Sequence, residues 1–319
     1  MQYLRLRLRM APMYDAPLIS PENKDSSADT LASLPKVALA AKVAAGHSVS
    51  DAVKTVLDKL QADNVIYAEL RLNPNDFADA DDASTSEALL SDVIAQATSA
   101  LHSHDVDARI ILSADTQAAN VAEIADAAIA HDEVAGFALV GENVAAHAGV
   151  LAKLQDSFVP FVIDGGFDDI EAGVKAGATR IAAGVDIIDD FSATVEGIAP
   201  GKLTSWIRDR HIAVEITPDE NIAAEEVDSL ADHPLPLLQQ LGFTCAVGES
   251  ALTEQFVSLN EALGYGLEEF FELTVAAMQN SFSTQEHRQH LIESVILPAY
   301  EELSDTEFAE DAQEPEDDA

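Results

Sequence analysis

The chain has 319 residues, 48% of them hydrophobic, so a large core is available and one α/β barrel would account for most of the length. It carries 57 Asp and Glu residues against 17 Lys and Arg residues, which gives a formal charge of −40. This charge argues against DNA, RNA and anionic membranes as partners, because all three would repel the protein.

Cysteine content and hydropathy favour a cytoplasmic location. With Cys245 as the single cysteine, neither an internal disulfide nor a cysteine-based zinc cluster can form. No apolar run reaches about 18 residues, and the N-terminus shows no apolar signal-peptide segment after its charges.

Strand-like and helix-like segments alternate along the chain. Helical patterns such as "SVSDAVKTVLDKLQA" have apolar residues at three-to-four spacing and separate eight strand candidates. Eight strands, each followed by a helix, predict a single (β/α)8 TIM barrel over residues 1–303. Residues 11–35 are expected to form an irregular connection after the first strand, and the acidic residues 304–319 a disordered tail. The predicted strands are 3–10, 65–72, 108–114, 134–141, 159–164, 178–184, 212–217 and 243–248.

The segment "VPFVIDGGF" (159–167) reads as a buried strand that ends in Asp164 and a bare glycine turn. In a (β/α)8 barrel, ligand and catalytic groups lie at the carboxyl ends of the strands, so Asp164 is in a functional position. Other residues predicted at or near this end of the barrel are Arg9, Asn73, Gly141, Ala183, Glu215, Thr217, Gly248, Glu249 and Ser250.

Neither metal binding nor nucleophilic catalysis is favoured by the side chains available. None of the nine histidines lies at the carboxyl end of a predicted strand, although His147 follows the fourth strand on that side. Cys245 lies within a strand and reads as a small core residue, and Ser250 has no evident histidine partner. We therefore predict no catalytic residue and no metal ligand.

Three arginines alternate with apolar residues in "YLRLRLRM" (3–10), so Arg5, Arg7 and Arg9 share one face of that strand. Buried guanidinium groups need partners. One interpretation is an internal salt-bridge network. A second is that Arg7 and Arg9 bind an anionic ligand, and a third is that this strand is a frayed edge. The carboxylates available to pair with them are Glu69, Asp164, Glu215 and Glu249.

Several segments resemble adenosine deaminases of the bacterial and actinobacterial type, which belong to the amidohydrolase superfamily. The resemblance covers most of residues 60–303, in order, and implies the same (β/α)8 barrel. It also implies a purine-nucleoside-like ligand. The segments are "LQADNVIYAELRLNP", "GFALVGEN", "EITP" followed by "EN", "LADHPLPLLQQLGF", "EALGYG" and "VAAMQNSF".

In that family one zinc is held by His-x-His on strand one, a histidine on strand five and an aspartate on strand eight. The resemblance places the His-x-His pair on Arg7 and Arg9, and the strand-five histidine on Asp164. Phe167 takes the position of the catalytic glutamate, and Ala183 that of a strand-six histidine. The remaining correspondences are Ala138 for the aspartate of the strand-four motif, and Ser250, Gly248 or Glu249 for the strand-eight aspartate.

These replacements predict a barrel with neither the zinc site nor the proton shuttle. Zinc-dependent deamination is not expected, because water at neutral pH is a poor nucleophile without a metal. We interpret the chain as a non-catalytic binding or regulatory protein whose ligand is purine-nucleoside-like or anionic. It could form homo-oligomers or pair with an active deaminase. The alternative is a related hydrolase that uses Asp164, Glu215 and Glu249 with a different metal.

Overall fold

A computed structural model describes residues 24–46, 48–78, 87–182, 184–195, 197–248 and 251–311. Some predictions therefore concern residues outside the described part of the chain. These are the strand at 3–10 with Arg5, Arg7 and Arg9, the site positions Ala183, Glu249 and Ser250, and the end of the tail, 312–319.

Eight parallel strands form the central sheet, each hydrogen-bonded to the next in the order β1-β2-β3-β4-β5-β6-β9-β10. β10 packs beside β1, so the sheet curls into a nearly closed barrel. The predicted (β/α)8 barrel is thereby confirmed. The strands are β1 Lys36–Lys42, β2 Val65–Leu72, β3 Asp107–Asp115, β4 Val134–Val140, β5 Phe161–Asp164, β6 Arg180–Ile181, β9 Ala213–Ile216 and β10 Cys245–Val247, with a separate hairpin of β7 Ser192–Thr194 and β8 Gly197–Ala199.

The first strand of the barrel is not where the sequence predicts it. β1 is the segment "KVALAAK", and it pairs in parallel with β2 from Lys36 opposite Val65 to Lys42 opposite Arg71. Residues 24–33, predicted as part of an irregular connection, form a helix. Alanine is a weak strand former, so the β-structure here comes from burial against the neighbouring strands, and not from local propensity.

Helices surround the sheet and connect successive strands. Ser48 caps the helix Val49–Ala62, as its sequence suggests, by accepting a hydrogen bond from the backbone of Asp51. The last helix continues through Asp311, so part of the predicted tail is helical. The helices are α1 Lys24–Ser33, α2 Val49–Ala62, α3 Glu87–Leu101, α4 Val121–Ala130, α5 Ala148–Asp156, α6 Phe167–Ala176, α7 Lys202–Asp209, α8 Pro218–Ala223, α9 Leu235–Gln240, α10 Leu252–Leu263, α11 Leu267–Gln279, α12 Gln285–Leu291 and α13 Leu297–Asp311.

The core has two parts. The larger lies between the outer face of the sheet and the helices. The smaller lies inside the barrel, where Ile111, Ala138, Val162 and Ala182 pack together. Small side chains at several inner positions leave room for long charged ones. Among the described helices, none combines the length and apolar character that a membrane span requires.

Candidate ligand site at the barrel mouth

Asp164 is the last residue of β5 and lies at the barrel mouth, the open end formed by the carboxyl ends of the strands. This position confirms that the segment 159–167 contains a buried strand that ends in Asp164. The backbone N–H of Gly141, just after β4, donates to the carbonyl of Asp164 at 2.8 Å. Gly141 has φ +112°, and a Cβ atom there would lie 2.7 Å from Thr116 Oγ1, so this turn requires glycine.

Below Asp164 the interior of the barrel contains a buried network of charges. Arg180 lies with Nη2 2.5 Å from Glu69 Oε2 and with Nε 2.6 Å from Glu215 Oε1. Arg71 donates from Nη2 to the other oxygen of Glu215, and its Nη1 lies 3.7 Å from Asp164 Oδ2. Both oxygens of Glu215 therefore face a guanidinium group.

Four further contacts hold Arg180 and Glu69 in place. The ring of Phe282 lies against the Arg180 guanidinium at 4.1 Å, and the backbone N–H of Phe282 donates to Glu69. The Tyr67 hydroxyl donates to Glu69 at 3.2 Å, and Arg180 donates to the carbonyl of Asn280 at 3.2 Å. This part of the network stabilises the barrel interior and does not face the mouth.

Among the described residues, Arg71 and Arg180 engage the predicted carboxylates, whereas Arg5, Arg7 and Arg9 lie outside them. Glu69, Asp164 and Glu215 are within ion-pair distance of Arg71 or Arg180, neither of which was predicted as a site residue. The sequence does contain a pattern that indicates Arg71 and Arg180. "AELRL" and "TRI" each place a charge within an apolar strand, and in a barrel both faces of a strand are buried.

Asp164 is half-buried, and its acid strength reflects competing effects. Burial raises the pKa of the Asp164 carboxyl above its ordinary value, and Glu215 and Glu220 act in the same direction. Arg71 and Lys42 lower it, but burial outweighs them. The carboxyl therefore accepts a proton more readily than an exposed aspartate does.

At the mouth of β1 the side chain of Lys42 forms an ion pair with Glu220 of α8, with Nζ 2.8 Å from both carboxylate oxygens. Ala40, two residues earlier, is on the same face of the strand and is buried. The strand-one positions of the resemblance therefore belong to Ala40 and Lys42, and their assignment to Arg7 and Arg9 was wrong. Neither a methyl group nor a protonated lysine is a metal ligand.

Zinc does not fit the described residues at the mouth. No three His, Cys, Asp or Glu side chains in the described ranges lie close enough together to hold a metal ion. Asp164 is a possible ligand, but Glu215 is engaged by two arginines. Gly248, one of the predicted strand-eight positions, has no side chain, and a Cβ there would lie 3.3 Å from Thr217 Cγ2 and 3.4 Å from Ala40 Cβ.

Parallel strands that alternate with helices, and a polar site where those strands end, define this protein as a (β/α)8 barrel with a candidate ligand site at its carboxyl end. The chain belongs to the adenosine deaminase family, because the family model described as "Adenosine deaminase" matches residues 34–298. An adenosine deaminase of Mycolicibacterium vanbaalenii is 30% identical over 266 residues, which cover 76% of this chain and 74% of the relative. An adenosine deaminase of Mycobacteroides abscessus is 30% identical over 270 residues, with coverage of 76% and 74%.

Solved structures share the same fold. The N6-methyl-AMP deaminase from Arabidopsis thaliana has a TM-score of 0.69 at 16% identity, covering 85% of this chain and 98% of its own. A zinc-bound amidohydrolase from Burkholderia ambifaria has a TM-score of 0.70 at 16% identity, covering 92% and 98%. At these identities the likeness establishes the fold alone.

Proposed function

We propose that this member of the adenosine deaminase family binds a small molecule at the barrel mouth without deaminating it through a zinc ion. The observation that carries the proposal is Lys42 at the end of β1, a cation paired with Glu220 where a zinc site would need a neutral or anionic donor. Phe167 at the start of α6 supports it as well, because a phenyl ring cannot transfer the proton that amine release requires.

The ligand we propose is purine-nucleoside-like. The curated relatives that match most of the chain are named adenosine deaminases, and this chain retains the barrel that positions the mouth. Asp164 is the described side chain best placed to contact the ligand. It lies at the mouth, its side chain is partly exposed, and a protonated carboxyl both donates and accepts hydrogen bonds.

The first experiment is elemental analysis of the purified protein combined with an adenosine deamination assay, with and without added zinc. We expect no stoichiometric metal and no turnover in either condition. Thermal denaturation with adenosine, inosine and AMP then tests binding, and we expect a ligand-dependent increase in Tm.

The matched control uses two aspartates of the same segment. Asp164→Ala should abolish the ligand-dependent increase in Tm, whereas Asp168→Ala, which removes an exposed carboxylate on α6, should retain it. About one metal ion per chain together with zinc-dependent turnover would overturn the proposal and make this chain an active deaminase.

A hydrolase with a different metal is the weaker candidate. It would need Asp164, Glu215 and Glu249 as ligands, and Glu249 lies outside the described residues. Arg71 and Arg180 already occupy both oxygens of Glu215, and their charges would repel a divalent cation.

A further inference from the structure

Lys42 links the end of β1 to the helix that follows β9, across the end of β10. It leaves the end of β1 and reaches Glu220 in the helix that follows β9. Because β10 lies between β9 and β1 in the sheet, this ion pair spans the end of β10. A lysine–glutamate ion pair, more than half exposed at both residues, therefore lies on this side of the mouth.

The end of β10, which lies beside β1, is closely packed around a glycine. Gly248 ends β10 without a side chain, and Ala40 and Thr217 flank it closely enough to contact even an added Cβ atom. The ammonium group of Lys42 reaches the carboxylate of Glu220. It contacts carboxylate oxygen at 2.8 Å, a normal distance for a charge-assisted hydrogen bond.

The carboxylates at the mouth need a counter-charge. Arg71 and Arg180 offset Glu215 together with the buried Glu69, and Arg71 is 3.7 Å from Asp164. Among the described residues, the cation that pairs with Glu220 is Lys42. Lys42 also lies within electrostatic range of Asp164 and favours its ionised form, against the larger effect of burial.

We propose that the ammonium group of Lys42 takes the place of a metal ion at this mouth, as a cation supplied by the chain itself. This inference rests on the proposed function, since it explains how the family's barrel keeps its mouth carboxylates together without zinc. Unlike a zinc ion, an ammonium group cannot activate water, so it preserves the binding surface and not the metal chemistry. Removing this ammonium group should leave a space of negative potential that attracts a divalent cation.

Manganese(II) and zinc(II) serve as probes in equilibrium dialysis of the chelator-treated full-length protein, with electron paramagnetic resonance for manganese. We expect Lys42→Met to bind one or both ions about tenfold more tightly than the wild type, because it removes the competing charge. Lys42→Arg, which retains the charge, should behave like the wild type. Lys54→Met, which removes an exposed lysine on α2, should also show no gain.

The double variant Lys42→Met/Glu220→Gln separates a specific site from general acidity. We expect it to lose most of the affinity gained by Lys42→Met, because the freed carboxylate is absent. Folding of every variant is checked by circular dichroism. Lys42 and Glu220 are both more than half exposed, so neither change should prevent folding.

Failure of this inference is distinct from failure of the proposed function. If the wild type is metal-free and inactive, but folded Lys42→Met binds manganese and zinc no more tightly, the inference is wrong and the proposed function stands. If Lys54→Met gains as much affinity as Lys42→Met, the inference is also wrong. If the wild type deaminates adenosine with bound zinc, the proposed function itself fails.

Discussion

Arg180 shows how this barrel accommodates charge in its interior. Its side chain is fully buried, yet it contacts Glu69, Glu215, the ring of Phe282 and the carbonyl of Asn280. Each polar contact offsets part of the free energy lost when the charge leaves water. Such an arrangement depends on all its members, because removal of one leaves the others buried without a partner.

Arg180→Met should lower the free energy of unfolding by about 3–5 kcal/mol, because it leaves Glu69 uncompensated and Glu215 with Arg71 alone. Urea denaturation followed by circular dichroism measures the change. Arg208→Met is the control, since that arginine is paired only with its exposed neighbour Asp209, and it should cost under about 1 kcal/mol. Equal losses in the two variants would mean that the buried network does not stabilise the fold.

Asp164→Asn should stabilise the protein near neutral pH. Burial raises the folded-state pKa of this carboxyl, so its stabilising effect is present at low pH and lost as the pH rises through the folded value. The variant, which cannot ionise, should therefore gain roughly 1–3 °C in Tm at pH 8. The gain should shrink toward pH 5. A difference in Tm that grows as the pH falls would contradict the assigned direction.

The sequence predicts only part of the site. Asp164, Gly141 and Glu215 lie at or near the strand ends where the sequence places them, because an end-of-strand position follows directly from the pattern of apolar residues, and their role in ligand binding stays a prediction. Arg71 and Lys42 were missed. The alternation within a strand shows which residues share a face, but not which residue of another strand lies opposite.

At the scale of the elements, β1 is the main difference between expectation and structure. "YLRLRLRM" alternates clearly, whereas "KVALAAK" has little β-branched or aromatic character and resembles a helical segment. The decisive factor is tertiary: β1 is buried between β2 and β10, which no local pattern reveals. The remaining barrel strands were predicted within a few residues because most of their apolar runs end at Gly, Asp or Asn.

Lys36 connects the start of β1 to two helices. Its Nζ donates to the carbonyls of Ala32 and Leu34, at and just after the end of α1, and to that of Asp63, which follows α2, at 3.0–3.1 Å. Burial lowers the pKa of Lys36 to about 8, while Asp63 opposes that change. One buried amine thereby donates to three carbonyl groups at the ends of these segments.

Lys36→Met should lower the free energy of unfolding by about 1–3 kcal/mol at pH 7, because the carbonyls of Ala32 and Asp63 lose this donor. The folded-state pKa is lowered, so wild-type stability should increase between pH 8 and the ordinary lysine value of 10.5. That increase should be absent in the variant. Urea denaturation at pH 7 and at pH 9.5 tests both statements, with Lys54→Met as the exposed-lysine control; a parallel pH dependence in Lys36→Met would disprove the assignment.

At the scale of the whole molecule, the excess of negative charge lies at the surface. Among the described residues, the buried Lys36, Arg71 and Arg180 are nearly balanced by the buried Glu69 and Glu215, so the interior holds little of the net charge of −40. Repulsion among exposed charges opposes the compact state. Its range depends on salt, because the Debye length falls from about 10 Å at 0.1 M to about 3 Å at 1 M.

Tm should therefore rise by several degrees between about 0.1 M and about 1 M KCl, where the Debye length becomes shorter than most distances between surface charges. NaCl should act equally, since screening depends on ionic strength and not on the cation. Replacing the exposed Asp105 and Glu133 by lysine should reduce the rise, because each change removes one negative charge and adds one positive charge. A rise of the same size in that double variant would point to a general salt effect on apolar burial, and not to screening of the acidic surface.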